Sequence, residues 1–497
     1  MSHNKTKILL VLFLFALSIG PAWGQTDLNP EQRLQQMDER LKQLEAKLAK
    51  LQQPTANPIL GTPASAPEET KTAAEAAGAP TAIKLEELDQ KLRILERTRE
   101  LESEAATAKA QEAPSIQAGK DGFAFKSANG DFQLKVGGYV HADGRFYLDD
   151  TSNSGVDTFV LRRVRPSLQG TVFKFIDFRI LPDFGEGKAQ LQDAYLEIRY
   201  FPKASLRAGK FKTPFGLERL QSATDIQFVE RGLPTGLVPN RDLGIQLSGD
   251  LAKKRLNYAV GVFNGTLDGG SVDGDTNDGK DYVARVFATP FQALRIDHPL
   301  NNLGFGFAVS TGKQEGTLPS YKTPGQLTFF SYATGVSANG ARTRFSPQAY
   351  YYYGRFGLLA EYVQSRQKVK KGTTMVKTVQ NSSWQAAVSY FLTGENKSFK
   401  SGSPLKAFDP ANGGWGAWEL VARFGQLDVD PAVYSLGLAD SAKSARRAQA
   451  WAAGINWYLN KNVKLVLDYE DTGFIGGSAT GNRNRERAIL NRFQISF

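Results

Sequence analysis

The stretch LNRFQISF, residues 490–497, ends the chain on an aromatic side chain directly after a strict polar/apolar alternation. Phe493, Ile495 and Phe497 fall on one side of a strand of period two, and Arg492, Gln494 and Ser496 fall on the other. A two-faced strand that runs to the last residue belongs either to the edge or core of a soluble sheet or to the closing strand of an outer-membrane barrel, where one face meets lipid and the other a wet interior.

Working outward from that strand, the same period governs the chain back to about Gly122. In FQLKVGGYVHADGRFYL (132–148), Phe132, Leu134, Val136, Val140 and Phe146 alternate with Gln133, Lys135, Tyr139, His141, Asp143, Arg145 and Tyr147. DAYLEIRYF, LNYAVGVFNG, DYVARVFATP, WGAWELVARFGQ, AQAWAAGINWYL and NVKLVLDYED read the same way. About sixteen such segments occur, an even number as bacterial barrels require, and they predict an all-β, 16-stranded antiparallel transmembrane barrel over 122–497.

The connections alternate in length. Short turns (FKFID, YFPKAS, DLAKKR, YYGRFG, YLNKN) take turns with longer loops near 211–243, 264–281, 311–343, 366–381, 427–447 and 471–486, as expected of periplasmic turns and outer loops. LTGENKSFKSGSPLKAFDPANGGW is a long segment in a turn position, either disordered in the periplasm or folded into the pore mouth. Tyr350 to Tyr353, Trp451 and Trp457 fall near predicted strand ends, where interfacial aromatic girdles belong.

Composition agrees. Mean hydropathy is −0.35, and beyond the N-terminus no apolar run approaches the ~18 residues of a membrane helix. With no cysteine, disulfides, thiolate metal sites and cysteine nucleophiles are excluded. Lys5 and Lys7 precede the run ILLVLFLFALSIG, and Ala22 and Gly24 supply small residues for a cleavage site, so residues 1–24 read as a secretory signal rather than a short membrane anchor. The formal charge of +11 suggests an anionic partner, substrate or headgroup. Leu34, Met37, Leu41, Leu44, Leu48 and Leu51 form a heptad seam within 25–53, a coiled coil that self-associates rather than a helix packed on its own domain. A Pro/Ala-rich linker (54–82) and a second heptad helix (83–113, with Leu85, Leu88, Leu92 and Leu95) follow, and both are expected in the periplasm.

Several stretches resemble the phosphate-selective porin O/P family over roughly 130–497: LKVGGYVHADGRF, the Arg162-Arg163 doublet, DAYLEIRY with LRAGKFKTPFGLER, VER, LTGE, WGAWELVARF, GINWYLNKNVKL and RFQISF. The resemblance implies a trimeric, sixteen-stranded, anion-selective channel whose loops fold inward to a constriction lined by Arg and Lys. It further implies that Arg162 and Arg163 are a pore arginine pair, that Arg231 is another pore arginine, and that Asp193 and Arg219 are the acid and base of the narrowest zone. Lys135, Arg145, Arg165, Arg285 and Arg423 complete the candidate pore-lining set. Independently of the family, a guanidinium held in a low-dielectric wall offers forked donors to phosphate or carboxylate oxygens, and a nearby acid keeps the site from binding too tightly. Two departures stand out. Tyr139 replaces an arginine after the double glycine, and 311–343 carries only Lys313 and Lys322 before Arg342 and Arg344 in place of a dense arginine ladder. Anion preference is therefore the safer expectation than phosphate specificity.

Other chemistry is weaker. His141 shares a face with Asp143 but lacks a nucleophile constellation, so no enzyme activity and no cofactor are expected. DGGSVDGDTNDGKD has its glycine one place late for an EF-hand and Ala284 where the closing Glu belongs, so it reads as a solvated acidic loop rather than a metal site. The basic runs QSRQKVKKGTTMVKT (Arg366, Lys368, Lys370, Lys371, Lys377) and NRNRER (Arg483, Arg485, Arg487), placed on outer loops, would bind lipopolysaccharide phosphates or funnel anions. Nucleic-acid binding is not indicated, because no stacking platform accompanies the charge. The expected partners are thus two further copies in a homotrimer, outer-membrane lipids and lipopolysaccharide, and small anions such as phosphate. Beside the anion channel stand a general non-specific porin and a structural barrel anchor whose coiled coil engages the cell wall or a periplasmic partner.

Overall fold

The computed structural model describes residues 73–497 apart from 113, 120–121, 149–154, 276, 293–297 and 373–374. The signal segment, the first heptad seam and the first part of the linker lie outside the described residues. A helix, α1 (Ala73–Glu112), starts inside the stretch read as linker, because AAEAA is helix-forming despite its bland composition. Its Leu88, Leu92 and Leu95 are exposed.

Sixteen long strands close into one antiparallel barrel. In chain order they are β1 (Gln133–Tyr147), β2 (Thr158–Val172), β3 (Ile176–Asp183), β4 (Gln190–Phe201), β5 (Ala204–Lys212), β6 (Arg241–Leu251), β7 (Leu256–Phe263) and β8 (Asp281–Ala288). The second half comprises β9 (Asn302–Gly316), β10 (Val336–Tyr353), β11 (Phe356–Lys371), β12 (Met375–Phe391), β13 (Ala417–Asp428), β14 (Ala445–Tyr458), β15 (Val463–Ser478) and β16 (Glu486–Ser496). Each pairs with its neighbour, and β16 closes on β1 in the register Phe493↔Ala142 and Arg492↔Asp143. No helix among the described residues is long and apolar enough to cross a membrane.

The alternation of the last strand holds. Phe493 and Ile495 face outward at 52% and 40% exposure, while Arg492 and Gln494 are buried at 2% and 3%. Across the closing seam the Arg492 guanidinium grips Asp143 with both arms, Nε to Oδ1 at 2.7 Å and Nη2 to Oδ2 at 2.6 Å. The final residue exchanges both backbone hydrogen bonds with Gly138. A Cβ on Gly137 would stand 2.5 Å from the Phe497 carbonyl oxygen, so only glycine lets the chain end seat there. A small hairpin, Ser115–Gly119 with Gly122–Lys126, extends the sheet beside the start of β1.

Three expectations are corrected and one open alternative is decided. Residues 366–381 are not a loop: Arg366↔Gln380, Lys368↔Thr378 and Lys370↔Val376 are paired across β11 and β12, because Val369 and Val379 keep the period and are fully buried. Tyr350 and Tyr352 point inward and only Tyr351 and Tyr353 outward, as period two demands of four consecutive tyrosines. Outward aromatics do form belts, with Trp384 against Phe424 and Trp451 against Tyr469 at one level and Trp418 stacked on Trp457 at the other. The 392–416 segment is folded into the mouth on the short-turn side, where Phe399 packs on Tyr350, and Lys397 pairs with Glu419 at 2.6 Å. Finally, the acidic loop is solvated only at its tip: Asp273, Asp275 and Asp278 are exposed, whereas Asp268 and Asp281 at its ends are buried with Arg342 and Arg344.

Asp143→Ala leaves the Arg492 guanidinium buried without its forked acceptor, a change that costs about 3–5 kcal/mol for a buried pair. The heat-induced mobility shift of the barrel on detergent gels is expected at distinctly lower temperature than for the unaltered chain, and an unchanged transition would show that closure does not depend on this pair.

Candidate functional site

The 213–240 connection is too apolar to stand in water. Phe215, Leu217, Ile226, Phe228, Val229, Leu233, Leu237 and Val238 are all buried at 3% exposure or less. It runs instead across the lumen, bent by Pro214, Pro234 and Pro239 and carrying two short helical turns, Leu217–Leu220 and Leu233–Leu237.

A chain crossing a lumen exposes backbone groups that must find partners. The opposite wall provides them. The Glu361 carboxylate accepts the Leu217 amide at 2.7 Å and the Glu218 amide at 3.4 Å. Asp468 accepts the Val229 amide at 2.6 Å, while Lys464 and Asn456 donate to the Ile226 and Gln227 carbonyls. Within the loop, Glu218 accepts the Gly232 amide, and Gln385 bridges Glu218 and Glu361 at 2.9 Å to each. From below, Gln221 donates to the Phe399 carbonyl and Asp225 accepts the Ser401 amide, both in the inward-folded 392–416 segment.

The other side of the loop is cationic. Arg219 and Arg231, with Arg162, Arg163 and Arg165 of β2, Lys188, Lys212 and Arg241, line a polar cavity of about 200 Å³. Arg162 and Arg163 share Glu230, Arg165 binds Asp183 and the Tyr139 hydroxyl at 2.7 Å each, and Arg241 binds Asp193 at 2.8 Å. Lys212, Arg219 and Arg231 meet no carboxylate within 4.0 Å among the described residues and donate only to backbone carbonyls: Leu220 with Gln221, Thr235, and Glu218 with Gln221, respectively. Burial, compounded by Arg231 and Arg241, pulls the Arg219 guanidinium down to about 9, and burial pulls Arg231 down to about 10, with Arg241 adding to it. Both remain cations at neutral pH but are under-compensated, a condition that an incoming anion relieves. Burial alone would raise the Glu230 carboxyl, but Arg162, Arg163 and Arg492 outweigh it and hold Glu230 far below the usual carboxylate range.

The cavity thus gathers Arg162, Arg163, Arg165, Arg219 and Arg231 from the candidate set. Asp193 sits at its edge between Arg241 and Arg179 rather than against Arg219. Arg145 lies 3.7 Å from both Glu186 and Glu230. Three candidates are elsewhere. Arg423 is behind the loop, bound to Glu470 at 2.7 Å and to the Glu230 carbonyl; Arg285 stacks over Phe287 beside Gln348; and Lys135 is exposed near the start of β1. Sequence reading passed over Lys212 and Arg241, although they bracket the loop in FKTPF and PNRDL. His141 is buried against Arg163, its Nδ1 3.3 Å from the guanidinium, with no hydroxyl nucleophile bonded to it. Among the described residues no group of His, Asp and Glu is arranged to hold a metal ion.

Comparison with known proteins finds the family described as phosphate-selective porin O and P matching residues 134–473. Porin O of Pseudomonas aeruginosa is 26% identical over 381 residues, 70% of this chain and 85% of that protein. Among solved structures, the outer-membrane channel DcaP of Acinetobacter baumannii superposes with a TM-score of 0.51 at 11% identity, covering 75% of this chain and 99% of that one. OmpT, an outer-membrane protein of Vibrio cholerae, gives a TM-score of 0.47 at 10% identity over 74% and 98% of the two chains.

Glu361→Ala strips two loop amides of their acceptor, at about 1–3 kcal/mol for each orphaned group, so conductance across a planar bilayer should become larger and noisier; quiet currents of unchanged size would show the loop is held by other contacts. Because the Glu230 carboxyl is depressed, its hold on Arg162 and Arg163 is fully present above the ordinary carboxylate range and is lost only as pH falls well below it. The gain in anion preference from Glu230→Gln over the unaltered chain should therefore stay constant from pH 7 to about pH 4. A gain that disappears near pH 5 would contradict this assignment.

Proposed function

Since the chain belongs to the family of phosphate-selective porins O and P, we propose that its barrel is an anion-selective diffusion channel that passes phosphate or similar small anions through the cavity beneath the 213–240 loop. Membership indicates the bacterial outer membrane, and the family's members are channels. The observation that carries the anion reading is the trio Lys212, Arg219 and Arg231, cations that face the cavity without a carboxylate partner while the wall acids are engaged behind the loop.

The trio gives an oxyanion forked, charge-assisted donors. Asp193 and Glu230 partly offset the surrounding arginines, which weakens the hold on an anion and lets it leave. The thinned arginine ladder in 317–335 fits an approach that is less selective than the constriction: its inward-folded residues include buried Tyr321, Phe329 and Phe330 rather than cations.

A second role is favoured by α1. Its exposed Leu88, Leu92 and Leu95 are spaced for self-association without fixing the number of chains; the homotrimer comes from the family resemblance, with the N-terminal segment in the periplasm, where it can engage the cell wall or another partner. Deleting residues 25–115 separates the roles: conductance that survives while envelope attachment fails assigns anchoring to the helices and transport to the barrel.

The main test is the reversal potential of purified protein in a planar bilayer under a KCl gradient, followed by titration of phosphate against the chloride current. Anion selectivity is expected, with phosphate block weakened about tenfold or more by Arg219→Gln or Arg231→Gln, since a charge-assisted hydrogen bond contributes about 1.5–3 kcal/mol. Anion selectivity without phosphate block would leave a general anion porin. Cation selectivity or a closed barrel would defeat the reading.

A further inference from the structure

Outside the lumen, one charged surface remains unexplained by transport. On β11 the outward face begins with Leu358, Ala360 and Tyr362, and the same face continues upward through Arg366, Lys368 and Lys370. The intervening Val363 and Val369 are fully buried toward the interior, which fixes the direction of the cations. Tyr362 is paired with Trp384, whose ring packs on Phe424 at 5.5 Å, so an aromatic belt marks the level where hydrocarbon gives way to headgroups. At about 3.3 Å per residue and a strand tilt near 40°, Arg366 stands roughly 10 Å, and Lys370 roughly 20 Å, above that belt.

The patch is wider than one strand. Lys313 of β9 is exposed on the same outer face, pairing with the small Ala341 of β10. The Lys368 stem lies where a Gly340 side chain would be, its Cδ 3.0 Å from that Cβ position. None of Lys313, Arg366, Lys368 and Lys370 has a carboxylate within 4.0 Å among the described residues. Glu315 shares the β9 face without pairing to them. Arg366 uses Nε on Gln380 at 2.7 Å, and among the described residues no hydrogen bond engages its two Nη groups. Like charges on alternate residues of one strand repel unless an anion lies across them.

We propose that this outer face of β9 to β11 binds the phosphorylated sugar headgroup of an outer-leaflet lipid, with Arg366, Lys368, Lys370 and Lys313 contacting its phosphates. A phosphate fixed to acyl chains arrives at the height of the first cation, whereas a free anion has no reason to choose a wall that leads nowhere. Placement above the belt rests on the longer loops being external, and it is independent of what the lumen transports.

The test uses the full chain in detergent micelles and three probes: bisphosphorylated lipid A, the same lipid without its phosphates, and inorganic phosphate. Lipid retained per barrel is read by native mass spectrometry. The bisphosphorylated lipid is expected to bind the unaltered chain about tenfold or more tightly than it binds the Arg366→Gln, Lys368→Gln, Lys370→Gln triple variant, from the usual contribution of a basic residue at an anionic membrane surface. The phosphate-free lipid should bind both chains alike, and millimolar inorganic phosphate should not displace the lipid. Ion selectivity of the triple variant should equal that of the unaltered chain, which verifies folding. Equal binding of the two lipids, unaffected binding by the triple variant, or displacement by inorganic phosphate would each overturn the proposal. Should the triple variant fail to form a barrel, Lys313→Gln decides in its place: weaker binding supports the site and unchanged binding refutes it.

Discussion

A loop laid across a lumen must satisfy its own amides and carbonyls away from bulk water, and the rest of the pore is arranged around that requirement. The 213–240 segment meets it by turning its backbone to the wall of β11 to β15, where Glu361, Asp468, Asn456 and Lys464 complement it group by group. Carboxylates used as acceptors for backbone amides do not neutralise the opposite face. The positive character of the cavity is therefore produced as much by where the acids are engaged as by where the arginines stand.

The same division of labour runs through the wall. Lumen-facing charges are largely paired across strands, as in Arg492 with Asp143, Arg344 with Asp268 and Asp281, and Arg423 with Glu470. Such pairs offset charge inside the wall, and Arg492 with Asp143 does so in forked geometry. Around the cavity, Lys212, Arg219 and Arg231, on the loop and its flank, meet no carboxylate among the described residues, so uncompensated charge is gathered at the constriction. Glu230 is the hinge between the two regimes, because it fixes Arg162 and Arg163 while its own carbonyl is held by Arg423.

The barrel was legible in the sequence because period two is enforced by two different solvents: Phe493 and Ile495 cannot face water, nor Arg492 lipid. Strand pairing followed from it, and the Arg162-Arg163 doublet lies on a wall of the cavity. Loop boundaries were not legible, since β11 and β12 continue past the membrane and their outward residues there turn polar, as in Arg366 and Lys368, which removes the contrast that marks a strand. The inward course of 213–240 had a visible signal in its apolar side chains, for an external loop does not carry FGL, IQFV and GLPTGLV. Lys212 and Arg241 carried none, because their importance lies in which acids are already occupied, a property of the folded arrangement alone. Arg285 and Arg423 show the converse, being lumen-facing by period yet spent on local packing or on the back of the loop.

The bonds that seat the loop span great lengths of chain: Leu217 to Glu361 crosses 144 residues, Val229 to Asp468 crosses 239, and Ile226 to Lys464 crosses 238. Contacts of such separation form late, after the intervening strands have come together. The selectivity element is consequently completed only when β15 is in place, next to the final strand that seals the cylinder. A partly assembled chain therefore has neither a closed wall nor a formed constriction, and aperture and filter mature in the same step of biogenesis.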